Sequence, residues 1–168
     1  MEDVLIHEMS DLLSAEQQFA KALTRVKNSA TTAEVKQLAA EHYEETQDQI
    51  ENLKSAFKVW GKKPTKIVCR GAEGICKENE STIKVGKFAG AVRDMVLVSG
   101  SMRIEHYEIA GYTTAIAVAK SLKITEVVKC LQLNLREELA AARKLELVGA
   151  TLLNGGGRAH GAGTPVRT

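Results

Sequence analysis

The stretch 102–112 constrains the fold most, because it places a glutamate where a helix should be apolar. Glu105 lies in the middle of an apolar stripe that extends to both sides of this stretch. A carboxylate in a helix core is costly unless a partner or a metal ion compensates it, so other helices are expected to supply one. The stripe recurs in steps of three and four, the spacing of one buried helix face, at Met95, Val98, Met102, Ile109, Tyr112 and Ile116.

Three further segments carry the same feature, one glutamate near the middle of an apolar helical stripe. The spacing predicts long helices over 2–28, 33–60, 89–120 and from about 124 onward, with a short helix near 72–85 inside a long crossover connection. Thr31 or Thr32 can cap the second helix, and Gly61 with Pro64 can end it. Because the midpoints of antiparallel helices meet in one layer, the stripe glutamates should converge in the core. They are Glu16, Glu45, Glu105 and Glu138.

Four carboxylates at one height cannot all be ionised and dry, since like charges in a low dielectric force protonation or unfold the core. Two divalent or trivalent cations resolve this repulsion, and glutamates that bridge two metal ions across a helical bundle form the di-iron carboxylate arrangement. Hard oxygen donors suit iron or manganese better than zinc. One such glutamate alone is more often a boundary residue that reaches solvent, but four mid-helix glutamates favour a shared inward cluster. The pattern predicts two iron ions, with manganese as the alternative.

Three other polar side chains lie near these stripes. Glu108 is one turn from Glu105 and is either an extra ligand or an outward-facing residue. His42 lies three residues before Glu45 on the same face, where a supporting or hydrogen-bonded core histidine is favoured slightly over a ligand. Tyr112 is expected to pack in the core, within reach of a carboxylate.

Composition limits the other classes of function. Twenty-three basic and 21 acidic residues leave a net charge of +2, which favours no polyanionic partner such as nucleic acid. No apolar run approaches the length of a membrane span, and the three cysteines suggest a reducing compartment, so a cytoplasmic location is expected. We predict one bundle domain over 1–154 and a flexible Gly-rich tail over 155–168. No small-molecule substrate can be inferred.

Three motifs resemble a known family. DLLSAEQQ at 11–18, EHYEET at 41–46 and IEHYEIAGY at 104–112 are similar to the YciF/YciE stress-protein family of bacteria, a branch of the ferritin-like superfamily. The resemblance covers about residues 2–150. It implies an all-α, ferritin-like antiparallel four-helix bundle with a long crossover and one or two short extra helices. It also implies a homodimer linked to stress response, in a family without an established activity.

The superfamily's metal-binding pattern can be carried over to matching positions. Glu16 and Glu105 would be the glutamates of the first and third long helices, and Glu105 with Glu108 matches the rubrerythrin-like Glu-x-x-Glu. Glu45 and Glu138 would be the bridging glutamates of the second and fourth. The histidine that such sites place about one turn later is absent here. Gln49 and Ala142 hold those positions, and only Gln49 offers an oxygen donor.

Three functional hypotheses follow. The first is a stress-response protein with a carboxylate-rich di-metal site and iron–oxygen or peroxide chemistry. The metal ligands would be Glu16, Glu45, Glu105, Glu138, Glu108 and Gln49. The second is a non-catalytic structural or stress protein that keeps the bundle with a degenerate site, which Gln49 and Ala142 favour. The third, a DNA-protecting assembly, has only two tail arginines in its support, Arg158 and Arg167. Whether the protein is an enzyme stays open.

Overall fold

The structure is a computed structural model that describes residues 1–156, and this part of the chain is all-helical. Predicted and observed helix bounds differ by at most two residues, and the second helix agrees at both ends. The last helix includes Gly155 and Gly156, and the rest of the predicted tail, 157–168, lies outside the described residues. The helices are α1 (Glu2–Ser29), α2 (Ala33–Trp60), α3 (Arg70–Val85), α4 (Gly90–Ser121) and α5 (Thr125–Gly156).

The four long helices form two hairpins joined by a crossover. Short connections link α1 to α2 and α4 to α5, so each pair is antiparallel. At the start of α4, Asp94 accepts hydrogen bonds of 2.7 Å from the backbone N–H groups of Thr31 and Thr32 in the α1–α2 connection. The crossover 61–89 must therefore run the length of the bundle, and α2 and α4 point the same way across its diagonal. The predicted all-α bundle is confirmed.

Local signals fix the ends of α2 and the start of α3. The Thr32 hydroxyl accepts a hydrogen bond of 3.4 Å from the Val35 N–H, which caps α2 as predicted. Gly61 ends the helix with a φ of 70°, a left-handed conformation that costs glycine little. The Cys69 sulfur accepts a hydrogen bond from the Ala72 N–H at 3.4 Å and caps α3.

Helix α3 packs against α1 and α4 and widens the buried face of α4. Beneath it, Phe19, Ala72 and Ile104 form a small apolar cluster, and the Tyr107 hydroxyl donates to Asp11 at 3.1 Å.

Helix α4 buries four members of the predicted stripe, Val98, Glu105, Tyr112 and Ile116, and it buries Glu108 beside them. The other three, Met95, Met102 and Ile109, are only half-buried, so the prediction that they lie in the core is wrong. The outward alternative for Glu108 is wrong.

Apolar cores fill both halves of the bundle and leave a polar layer between them. One core contains Leu5, Leu53 and Leu131, and the other contains Val35 and Leu145. Each fully buried side chain of this size contributes about 1.5–3 kcal/mol, so the two cores can stabilise a fold that carries an unfavourable layer in its middle. None of the helices within residues 1–156 is long and apolar enough to cross a membrane.

Candidate metal centre

Four buried side chains from three helices converge in the polar layer. His42 comes from α2, Glu105 and Glu108 from one face of α4, and Glu138 from α5. Each offers one ligand atom, and these four atoms lie within 4.8 Å of one another. The His42 Nε2 atom is 3.1 Å from Glu105 Oε1 and 3.8 Å from Glu138 Oε2. This spacing fits one metal ion held between the helices.

Glu16 of α1 is fully buried and borders this group. Its Oε1 atom accepts a hydrogen bond from the Tyr112 hydroxyl. The Asn134 amide donates to the Tyr112 oxygen at 2.9 Å and to the Gln49 backbone carbonyl at 3.1 Å. A hydrogen-bonded chain from α5 and α4 therefore fixes one oxygen of Glu16, and its Oε2 atom remains unpaired.

Unpaired buried polar atoms are concentrated in this layer. Within the described residues, ten buried side-chain nitrogen and oxygen atoms have no hydrogen-bond partner, and all but Glu137 Oε2 belong to the layer. Folded proteins pair nearly all such atoms, because each unpaired one loses its bonds to water without replacement. They belong to Glu16, His42, Gln49, Glu105, Glu108 and Glu138.

The electrostatics of the layer favour protonation when no cation is present. Burial raises the pKa of Glu16 to about 7, although the bond from Tyr112 acts in the opposite direction. Burial and the neighbouring carboxylates raise the pKa values of Glu108 and Glu138 well above their ordinary range. Burial acts to lower the pKa of His42, but the surrounding carboxylates, Glu105 first, raise it well above its ordinary value. The layer therefore holds protons that a metal ion would displace.

Glu45 lies at the edge of the layer, and its side chain is 34% exposed. One of its oxygens is 3.2 Å from His42 Nδ1, and the other accepts a hydrogen bond from Lys144 Nζ at 3.2 Å. The bond to His42 lowers the pKa of Glu45, as does Lys144, against the opposing effect of burial. The structure thus places His42 in the central group and leaves Glu45 outside it.

The two positions where related metal sites place a histidine, Gln49 and Ala142, are both buried. Gln49 is fully buried and both polar atoms of its side-chain amide are unpaired, so it can still offer an oxygen. Ala142 is buried and supplies no donor. His42 is the one member of the central group that the sequence did not favour as a ligand, although its place in the α2 stripe indicated that it points inward.

The residues fit a metal ion on three counts. Their donor atoms are buried, they converge, and they lack other partners. Three carboxylates and one imidazole are donors that suit iron or manganese, whereas structural zinc sites more often use cysteine. The fold and this layer define an all-α bundle with a carboxylate-rich centre that can hold a metal.

Comparison with known proteins agrees with this class. Residues 1–155 match the family described as "Domain of unknown function (DUF892)", and the chain belongs to that family. It is 34% identical over 146 residues to Protein YciF of Escherichia coli (strain K12), an alignment that covers 86% of this chain and 87% of YciF. The predicted resemblance to the YciF family is therefore confirmed.

Solved structures show the same fold. The crystal structure of the E. coli stress protein YciF matches with a TM-score of 0.88 and 32% identity, over 91% of this chain and 96% of YciF. YcfI from Rhodopseudomonas palustris, whose description proposes a structural role, matches with a TM-score of 0.83 and 41% identity, over 87% of this chain and 92% of its own. The protein is a homologue of a bacterial stress protein.

Proposed function

We propose that the protein serves in stress response by binding two divalent metal ions, iron by preference, in the polar layer. The observation that carries the proposal is the set of unpaired, buried donor atoms around one point of the core. Elsewhere in the described residues, Glu137 Oε2 is the one buried side-chain nitrogen or oxygen atom that lacks a partner. The homodimer implied by the family resemblance and the cytoplasmic location expected from the composition stay predictions.

The charge of the layer supports two ions. The layer contains four buried carboxyl groups, which together carry four negative charges when ionised. They are Glu16, Glu105, Glu108 and Glu138. Two divalent cations balance these charges and leave His42 neutral, which is the form that binds a metal. The central group would hold one ion, and Glu16 would help the neighbouring carboxylates to hold the second.

The chain's own residues would bind the metal ions, orient a ligand and shield the site from water. His42 and the carboxylates would hold the ions, while Tyr112 and Asn134 fix the orientation of Glu16. The two apolar cores exclude bulk water from both sides of the layer. When bound, iron would supply one-electron chemistry towards dioxygen or peroxide. Residues that fix a ligand's orientation commonly change metal affinity when they are removed.

The second candidate is a structural stress protein with a degenerate site. The buried Ala142 supports it, because that position offers no ligand. The description of YcfI as a protein with a proposed structural role points the same way. Under this candidate, the layer would stay protonated and bind no metal.

Metal loading of chelator-treated protein separates the two candidates. Anaerobic addition of Fe²⁺, or of Mn²⁺ in a parallel sample, should leave about two ions per chain after desalting, as in other carboxylate-bridged bundles. Glu138→Gln should lower that number. Glu146→Gln, an exposed glutamate on the same helix, should not. Elemental analysis gives the count, and a wild-type protein that retains neither metal would contradict the di-metal proposal and favour the structural one.

A further inference from the structure

Two cavities meet at Lys144, on the side of the bundle between α2 and α5. The inner cavity reaches His42 and Glu105 and has about 20 Å³ available to the centres of water-sized molecules. That is more than the roughly 10–15 Å³ that one water needs. The outer cavity is an open groove of about 350 Å³ whose rim carries Glu34 and Glu41. Lys144 and Leu38 line both cavities, and Lys144 is the charged residue that the two cavities share.

A continuous line of polar atoms connects Lys144 to the centre. Lys144 Nζ donates to Glu45 Oε1 at 3.2 Å, and Glu45 Oε2 lies 3.2 Å from His42 Nδ1. The opposite ring nitrogen, His42 Nε2, is buried, unpaired and 3.1 Å from Glu105 Oε1. The three contacts along this line are therefore all 3.1–3.2 Å long, with no gap between the surface and the centre.

The contact between Lys144 and Glu45 is suited to opening. Their side chains are 43% and 34% exposed, and ion pairs with that much exposure contribute little stability. The groove outside carries two exposed carboxylates against the one ammonium group, so it attracts cations. Glu16, Glu105, Glu108 and Glu138 are at most 1% exposed and offer no comparable first contact.

Building on the proposed function, we propose that divalent cations reach the centre through this route and that the Lys144–Glu45 ion pair is its gate. A cation in the groove displaces the Lys144 ammonium from Glu45. The Glu45 carboxylate then holds the cation and passes it to His42 and Glu105. Glu45 acts in this sequence as a transient ligand, outside the set that holds the ions at rest.

The rate of metal uptake tests the gate separately from the capacity of the site. Metal-free protein is mixed with Co²⁺ at low ionic strength, the rise in visible absorption gives the rate, and elemental analysis after desalting gives the final count. Lys144→Met keeps the aliphatic stem but removes the charge, and should load roughly two- to fivefold faster, the effect expected when a half-exposed ion pair is lost. Lys144→Arg should load at the wild-type rate, and Glu45→Gln should load more slowly to the same final count.

The control is Lys129→Met, which removes an exposed ion pair with Glu126 elsewhere on α5 and should change neither quantity. If Lys144→Met and Lys129→Met load at the same rate to a normal final count, the gate is wrong and the metal function stands. A lower final count in Glu45→Gln would make Glu45 a resident ligand and would also overturn the route. A wild-type protein that takes up no Co²⁺, Fe²⁺ or Mn²⁺ would remove the proposed function itself.

Discussion

Asp94 and Glu138 are both fully buried, yet only Asp94 has its charge compensated by hydrogen bonds. Its two oxygens accept from the backbone N–H groups of Thr31 and Thr32, each at 2.7 Å. Burial acts to raise its pKa, but these bonds lower it below the ordinary value. Neither oxygen of Glu138 has a hydrogen-bond partner, and its pKa is raised well above the ordinary value.

The difference shows that this fold can supply hydrogen-bond donors to a buried carboxylate whose role is purely structural. Asp94 joins the start of α4 to the α1–α2 connection and so fixes the crossover topology. No hydrogen bond links the Glu138 side chain to another helix. Its unpaired oxygens reduce the stability of the metal-free chain, and a bound cation would reverse that effect. Structural and ligand-binding carboxylates should therefore respond in opposite ways to removal.

Removing Asp94 should have the largest effect. Asp94→Ala removes the charged acceptor of two backbone N–H groups, and the free energy of unfolding should fall by about 4 kcal/mol, roughly 2 kcal/mol for each hydrogen bond to a charged group. Urea denaturation of the metal-free protein measures this. Asp94→Asn keeps one acceptor oxygen and should lose less, whereas Glu138→Gln should leave the metal-free protein as stable as the wild type or more stable. A loss in Glu138→Gln as large as that in Asp94→Ala would remove the contrast.

The pH dependence of the metal-free protein should be the next largest effect. The pKa of Glu16 is about 7 in the folded chain against 4.5 in its ordinary state. The folded state therefore binds the extra proton, so its stabilising contribution is fully present below pH 4.5 and is lost as the pH rises through about 7. From this group alone, the free energy of unfolding should fall by about 3 kcal/mol between pH 4.5 and about pH 8.

Glu16→Gln is the control for that slope, because glutamine does not titrate. Asp94 has a lowered pKa, so its contribution runs in the opposite direction and is present in both proteins. Chemical denaturation across this pH range should give a smaller loss of stability in the variant than in the wild type. Equal slopes in the two proteins would show that Glu16 is not the group whose proton stabilises the metal-free fold.

Much of the fold could be predicted from the sequence because its signals are local. Helical periodicity, the Thr32 cap and the left-handed Gly61 each depend on residues within one or two turns. The same periodicity placed Glu16, Glu105 and Glu138 in the core, where they lie. The identity of the stripe residues was therefore sufficient to place three of the layer's carboxyl groups.

The details that the sequence did not give depend on contacts between distant segments. Glu108 is buried because its side chain faces Glu16 of α1 and Glu138 of α5, and these contacts between helices cannot be predicted from the periodicity of α4. His42 and Glu45 lie three residues apart on one face, so a small rotation of α2 decides which of them points inward. Lys144, 99 residues further along the chain, holds Glu45 at the edge. Which of these two residues reaches the centre could therefore not be predicted from α2 alone.

Two tyrosines on α4 provide the finest test of the comparison, since each donates to a carboxylate of α1. Tyr112 donates to Glu16 in the candidate centre, and Tyr107 donates to Asp11 beneath α3. Either Tyr→Phe change should lower the free energy of unfolding by about 2 kcal/mol, because each hydroxyl takes part in two hydrogen bonds of about 1 kcal/mol each. Only Tyr112→Phe should also weaken Mn²⁺ binding, by roughly tenfold, because it leaves a ligand without its orienting partner.

Calorimetric titration with Mn²⁺ measures that second effect, and thermal unfolding of the metal-free proteins measures the first. The two variants remove the same hydroxyl group from the same helix, so a general loss of packing should affect both alike. A similar change in Mn²⁺ affinity in Tyr107→Phe would mean that the bundle as a whole, and not the orientation of Glu16, controls binding. If Tyr112→Phe alone binds Mn²⁺ more weakly, the hydrogen bond to Glu16 positions a ligand, and the bond to Asp11 serves only to join α4 to α1.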